Sequence, residues 1–231
     1  MRVVGIIQAR MGSSRLPLKM LLSLHGKPII EWVVKRVQKA KLLDDIVVAI
    51  PNTPQDDILA NYLKKLNVHV FRGSEVDVLA RFYFAAKEYK ATDIVRICAD
   101  NPLIDPMAID DLIAFYQKEK GDYVYNHIPK NNLYPDGFGA EITSFEHLEY
   151  MYLYAKEEKY REHCMSYIVD NPQKFHIKTF NPKDKNLHYP NLKFDIDTFE
   201  DYAYLANKDF DIDISAKELV KLFRGIDDEN S

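Results

Sequence analysis

Cysteine is nearly absent. The 231 residues hold two, Cys98 and Cys164, without the spacing of a metal site. That excludes a disulfide scaffold and a zinc ribbon, and it fits a reducing compartment. Long apolar runs are missing as well. Behind Arg2 stand the five residues VVGII, too few for a secretory leader or a membrane span. A cytoplasmic protein without membrane insertion is expected. Basic residues are not in excess: 31 Lys and Arg face 35 Asp and Glu, a formal net charge of -4. This balance speaks against nucleic acid as the main partner and leaves local cation clusters free to hold phosphate.

Common motifs are absent too. The sequence contains neither G-x-x-x-x-G-K-[ST] nor G-x-G-x-x-G, so it has neither usual phosphate fingerprint. It has no paired-His metal spacing and no nucleophile elbow, so nothing points to covalent catalysis. Internal repeats and flexible linkers are also missing.

What is present is an alternation of short apolar strands and amphipathic helices. Strands are expected at 3–7, 45–50, 68–71 and 94–98. Between them, helices are expected at 28–43, 58–66 and 78–89, with another after Pro106. This is the βαβ rhythm of an α/β fold with a mostly parallel sheet covered on both faces. After Gly121 the rhythm changes. Strands are expected at 122–126, 139–142 and 175–180, and helices at 145–158 and 161–169, around an irregular loop at 128–138. Aromatics crowd Phe115 to Phe180, as either core or interface. A strand at 192–196 then leads to two helices, capped by Thr198 with Asp201 and by Ser215 with Glu218. The acidic tail, Asp227 to Glu229, is expected to fray. The reading is a single domain, 1–231, carrying an inserted lobe at about 121–185.

The densest chemistry follows the first strand. Gln8 to Leu21 reads QARMGSSRLPLKML. Arg10, Arg15 and Lys19 are spaced around Gly12, Ser13 and Ser14, whose small side chains let backbone N–H groups face an anion. A solvated basic loop is the alternative. Asp100 follows strand 94–98, and Asp197 follows 192–196. In an open α/β sheet such positions face the ligand crevice. Two carboxylates there suit Mg2+, which takes oxygen ligands and keeps several waters. Helix capping is the alternative role, and Asp195 competes with Asp197 as a ligand. Asp56 and Asp57 read as helix-start residues.

A second turn, Arg72-Gly73-Ser74 through Arg81, offers Arg72 or Ser74 to a base, ribose or phosphate. Its alternative is a helix start with an Asp77–Arg81 pair. Asn126, Asp136, Glu141, Arg161 and His163 gather polar groups within 121–185. Such an inventory fits phosphoryl-group chemistry, where positioning and charge neutralisation dominate.

Ile7 to Lys19 resembles the signature loop of bacterial sugar cytidylyltransferases, and within them the spore coat polysaccharide SpsF branch, related to the CMP-Kdo and CMP-sialic acid synthetases. The Phe71–Phe82 stretch, Arg96–Pro106 with ADNPLIDP, DIDTFED at 195–201, Tyr134 to Gly137 and Arg161 to His163 are similar as well. The resemblance implies a nucleotide-diphospho-sugar transferase fold, with CTP, Mg2+ and an acidic sugar or sugar phosphate. Residue by residue, it puts Arg10, Arg15 and Lys19 on the triphosphate. Gln8, Ala9, Gly12, Ser13, Ser14, Arg72, Ser74 and Arg81 go around the nucleotide, and Asp100 and Asp197 on the metal, with Asp100 also catalytic. The 121–185 lobe would close the sugar site and help to form a homodimer. Leu18 departs from the pattern, since many relatives carry Gly there. Use of another NTP, or nucleotide-sugar binding without turnover, are the competing functions.

Overall fold

The computed structural model describes residues 1–225; the tail expected to fray lies outside them. The first strand, β1 (Val3–Gln8), sends Val4 and Ile6 to one face of the sheet and Val3 and Ile7 to the other. That is the period-two pattern of a strand buried on both sides. Next comes a small hairpin, β2 (Ser23–Leu24) and β3 (Lys27–Pro28), which the sequence reading missed. It turns through His25 and Gly26, whose φ angles of 46° and 78° suit a two-residue hairpin turn. Helix α1 (Ile29–Val37) is shorter than expected, with Pro28 at its N-cap.

The alternation then runs as expected: β4 (Asp45–Pro51), α2 (Asp57–Leu63), β5 (His69–Gly73), α3 (Val78–Glu88), β6 (Asp93–Cys98) and α4 (Pro106–Glu119). Beyond it come β7 (Tyr123–Tyr125), β8 (Glu141–Ser144), α5 (Phe145–Tyr154), α6 (Glu158–Glu162), α7 (Ser166–Val169) and β9 (Ile177–Thr179). Helices α8 (Phe199–Ala206) and α9 (Ala216–Arg224) close the chain, each opened by the expected capping box.

Seven strands form one sheet in the order β5-β4-β1-β6-β8-β7-β9. Within it, β8 runs antiparallel to both of its neighbours, and the other pairings are parallel. Residues 121–185 thus add three strands to the same sheet. Helices α1, α2, α4, α8 and α9 cover one face, and α3, α5, α6 and α7 cover the other.

The segment 192–196 is not a ladder strand. It makes a single bridge, Lys193 to Asp136. Gly137, at φ 86°, turns the partner chain away immediately. A Cβ there would stand 2.9 Å from the Asp195 nitrogen. The helix expected at 161–169 is likewise broken, because His163 leaves the helical region at φ −114° and ψ 87°.

Candidate active site

Register brings the site together. β1 and β6 are neighbours, with Ile6 opposite Arg96 and Gln8 opposite Cys98. Their C-terminal ends release the 9–18 loop and the Ala99–Asp100 turn on the same edge. A buried carboxylate anchors the loop: Asp56 accepts from the Met11 N–H at 2.8 Å and from the Thr53 hydroxyl at 2.6 Å. Asp56 stands at the start of α2, as expected, but its side chain caps no helix N–H and lies under the loop instead. Met11, Leu16 and Met20 pin the rest into the core.

Leu18 takes the left-handed conformation, φ 60° and ψ 18°, at the N-cap of the single 3-10 turn that carries Lys19. The conformation that glycine would supply is kept with a leucine, which costs about 1–2 kcal/mol for an L-residue. The residue is 60% exposed, so little burial offsets that cost. Leu18→Gly is therefore expected to raise stability by up to ~1 kcal/mol, after the greater unfolded-state freedom of glycine is subtracted. Urea unfolding would check this; a lower midpoint would show that the leucine side chain matters more than its backbone.

Lys19 is the centre of the cleft. Its ammonium donates to the Ile196 carbonyl at 2.7 Å and lies 3.7 Å from Asp100 and 3.6 Å from Asp197. Arg15 reaches Asp197 at 3.0 Å. The backbone brings the two aspartates together, because the Ile196 N–H donates to the Asp100 carbonyl at 2.8 Å. Around them is a cleft of about 260 Å3 lined by Gln8, Ala9, Arg10, Ser13 and Ser14 besides the groups already named, with Arg96 and Cys98 in its floor. Gly12 belongs to the loop but not to the lining. Burial pushes the Cys98 thiol up to about 12, which favours its protonated form.

The second predicted turn lies elsewhere. Arg72 is tied to Asp57 at 2.6 Å and to the Thr53 carbonyl at 2.8 Å, on the outer side of β5 and away from this cleft. Ser74 accepts from the Asp77 N–H, and its carbonyl accepts from Arg81. Asp77 does not pair with Arg81. It caps α3 and binds Arg161 through Nε at 3.0 Å and Nη2 at 2.6 Å. Arg81 is buried, with Nε and Nη2 unpartnered. Burial lowers its pKa to about 10, with Cys164 opposing and Arg10 adding to the fall. Arg10 and Arg161 share a second depression, which joins the loop to α6.

Among the residues expected at a sugar, Asn126 is a correction. It is fully buried, donating to the Ala108 carbonyl and accepting from the Ala140 N–H, so it clamps backbone. His163 is exposed at the end of α6 and lines neither depression. Burial, then the Asp195 charge, raises Asp136 to about 6. Asp195 turns from Asp197 toward Lys193, leaving one oxygen buried without a partner. Glu141 is buried against Arg96, Tyr123 and His127. Burial alone would raise its pKa, but Arg96 and His127 outweigh it and hold the carboxyl below its usual value. Glu141 therefore meets the cleft through Arg96. The sequence reading gave Arg96 no role. The available signal was a charge inside the apolar strand IVRIC, which requires a buried partner.

The comparisons agree across the chain. A family model described as Cytidylyltransferase matches residues 4–229. An uncharacterized protein of Methanocaldococcus jannaschii is 40% identical over 223 residues, covering 95% of this chain and 89% of that one. Spore coat polysaccharide biosynthesis protein SpsF of Bacillus subtilis is 33% identical over 229 residues, covering 95% and 93%. A solved cytidylyltransferase from Leptospira borgpetersenii superposes with a TM-score of 0.88 at 29% identity, covering 99% and 96%. The cation-lined crevice at the ends of β1 and β6 is thus set in a fold shared over nearly the full length, and the chain belongs to the cytidylyltransferase family of nucleotidyltransferases.

Proposed function

We propose that this enzyme transfers the cytidylyl group of CTP to an acidic sugar or sugar phosphate, releasing pyrophosphate, in an SpsF-like step of surface polysaccharide synthesis. The observation that carries the reading is Lys19 seated between Asp100 and Asp197 beneath the loop cations. Arg10 and Arg15 bind the triphosphate from the loop, with Ser13 and Ser14 beside them. A sugar hydroxyl, which gives up its proton to solvent, or an already ionised phosphate oxygen forms its bond to the α-phosphorus as the bond from that phosphorus to the bridging oxygen breaks, and the electron pair leaves with pyrophosphate. Lys19 and the two arginines stabilise that growing charge in a partly enclosed site, where fixed charges act more strongly than in water.

The Mg2+ implied by the family fits the donor set. Asp100 and Asp197 are hard oxygen ligands converging on one ammonium, and each is partly open to the cleft. Among the described residues no group of three potential ligands makes a closed metal site, so phosphate oxygens and water would supply the other positions. When bound, the ion would neutralise phosphate charge.

Exposed Phe84, Tyr150, Leu153 and Tyr154 on α3 and α5 support a homodimer through this side of the fold. Among the described residues no helix is long and apolar enough to cross a membrane, and a cytoplasmic location is part of the proposal.

Base choice is the finer test. With Mg2+, CTP at about 100 times its Kd is expected to stabilise the protein by ~2.7 kcal/mol, a rise of roughly 5 °C or more in Tm. UTP, GTP and ATP at the same concentration are expected to give less. An equal or larger shift with another nucleotide would reassign the base. Failure to release pyrophosphate across a panel of sugar acids and sugar phosphates would leave a binding protein.

A further inference from the structure

Arg10, Arg15 and Lys19 come from the loop after β1, whereas Arg96 brings a cation to the same cleft from β6. Arg96 stands in register with Glu141 of β8. Its Nε donates to Gln8 Oε1 at 3.1 Å, and its Nη1 pairs with Glu141. Glu141 is held in turn by the Tyr123 hydroxyl, with His127 Nε2 at 3.8 Å. Two edges of the guanidinium are thereby fixed. Nη2 has no protein acceptor among the described residues. The Arg96 side chain is 18% accessible and that of Glu141 is 3%, so the pair opens to the cleft through the arginine. Burying such a pair costs several kcal/mol of desolvation, and apolar residues of similar volume often hold a core as well or better. Stability is therefore a poor reason for its presence.

Its place in the sheet identifies the group it serves. In-line transfer sets the entering oxygen roughly opposite the departing pyrophosphate. The loop cations gather on the β1 side. Arg96 lies one strand further over, toward β8 and residues 121–185. An arginine whose remaining N–H groups face a cleft is suited to a carboxylate or phosphate.

We propose that Arg96 reads the acceptor, its free Nη2 gripping an anionic group on the sugar while Gln8 and Glu141 hold the guanidinium in place. This rests on the nucleotidyl-transfer reading above. The test uses Arg96→Gln combined with Glu141→Gln, which leaves no buried carboxylate unpaired. Calorimetry with Mg2+ and CMP present compares N-acetylneuraminate, glucose 1-phosphate and glucose, and CTP is titrated separately. At least one acidic probe is expected to bind the double variant about tenfold or more weakly than the wild type, as loss of a charged hydrogen bond predicts. Glucose is expected to show no difference, and the CTP Kd to stay within about twofold. Loss confined to N-acetylneuraminate assigns a carboxylate, and loss confined to glucose 1-phosphate assigns a phosphate. If neither acid distinguishes the proteins, the proposal is overturned; it is also overturned if CTP affinity falls as much as acid affinity. Should the double variant not fold, Arg96→Lys keeps the charge beside Glu141 but not the fork, and the same acid-specific loss is expected. Failure of CTP to bind the wild type would refute the nucleotidyl-transfer reading itself, a separate result from the acid comparison.

Discussion

Asp100→Asn is expected to lower turnover roughly 10²–10³-fold, the range seen when one preorganised electrostatic group is lost from a reaction centre. The fold should survive. The Asp100 side chain is a third exposed, and its ion pair is with Lys19 at 3.7 Å. The bond that joins this turn to residue 196 uses the Asp100 backbone carbonyl, which the substitution leaves alone. Lys19 would keep its bond to the Ile196 carbonyl and its contact with Asp197. Asp195→Asn is the useful contrast. Asp195 is two residues from Asp197, yet it faces Lys193 and not the cleft. Its only ion pair is with Lys193 at 3.5 Å among the described residues, and it does not line the cleft, so its neutral isostere should be tolerated in turnover. Initial rates of pyrophosphate release, with circular dichroism melts of each variant, decide the matter. Turnover of Asp100→Asn within tenfold of wild type, or an equal loss in Asp195→Asn, would remove Asp100 from the reaction centre.

The cleft that holds Lys19, Asp100 and Asp197 was legible because it obeys local rules. A strand of aliphatic residues, small residues in a turn and three spaced cations can be read without knowing what lies opposite. Asp100 was legible for the same reason, standing just past an apolar strand. Asp197 reaches the cleft for a different reason from the one expected. The expected strand before it is an extended segment with one bridge, and the Ile196 N–H bond to Asp100 does the positioning. That bond joins residues far apart in sequence and has no local signal.

The polar residues of 121–185 were less legible because they are partnered across strands and between helices. Asn126, Glu141 and Arg161 look alike in a sequence as polar residues in an aromatic region. In the fold, Asn126 clamps backbone, Glu141 backs Arg96, and Arg161 joins α6 to the cap of α3. Arg72 stands apart from the cleft for a related reason. Its turn follows a strand, as a ligand turn would, but β5 is the last strand on its side of the sheet. There its guanidinium is used by Asp57 and the Thr53 carbonyl.

Gly139→Ala is expected to be among the most damaging single substitutions, although residue 139 touches no proposed substrate. An added Cβ would overlap the carbonyl carbon and oxygen of Asn126 and its side-chain oxygen. Backbone cannot yield as a flexible side-chain tip can. Nor can Asn126 step aside, because its side chain bridges the Ala108 carbonyl and the Ala140 N–H, and its own N–H donates to the Ala140 carbonyl. Steric insertion and the loss of a buried hydrogen-bond clamp then add, for a cost of roughly 4 kcal/mol or more. For a chain of this size that is a fall of about 8 °C or more in Tm. A melt of the ligand-free protein within about 3 °C of wild type would show that the backbone relaxes more readily than this packing allows. Where the variant still folds at low temperature, the damage should be uneven. Residue 139 lies two positions before Glu141, so its displacement reaches Arg96 first, while the Lys19–Ile196 contact is made by other segments. Affinity for an acidic acceptor is therefore expected to fall further than affinity for CTP. The reverse order would mean that the two halves of the cleft are not built as separately as their strands are.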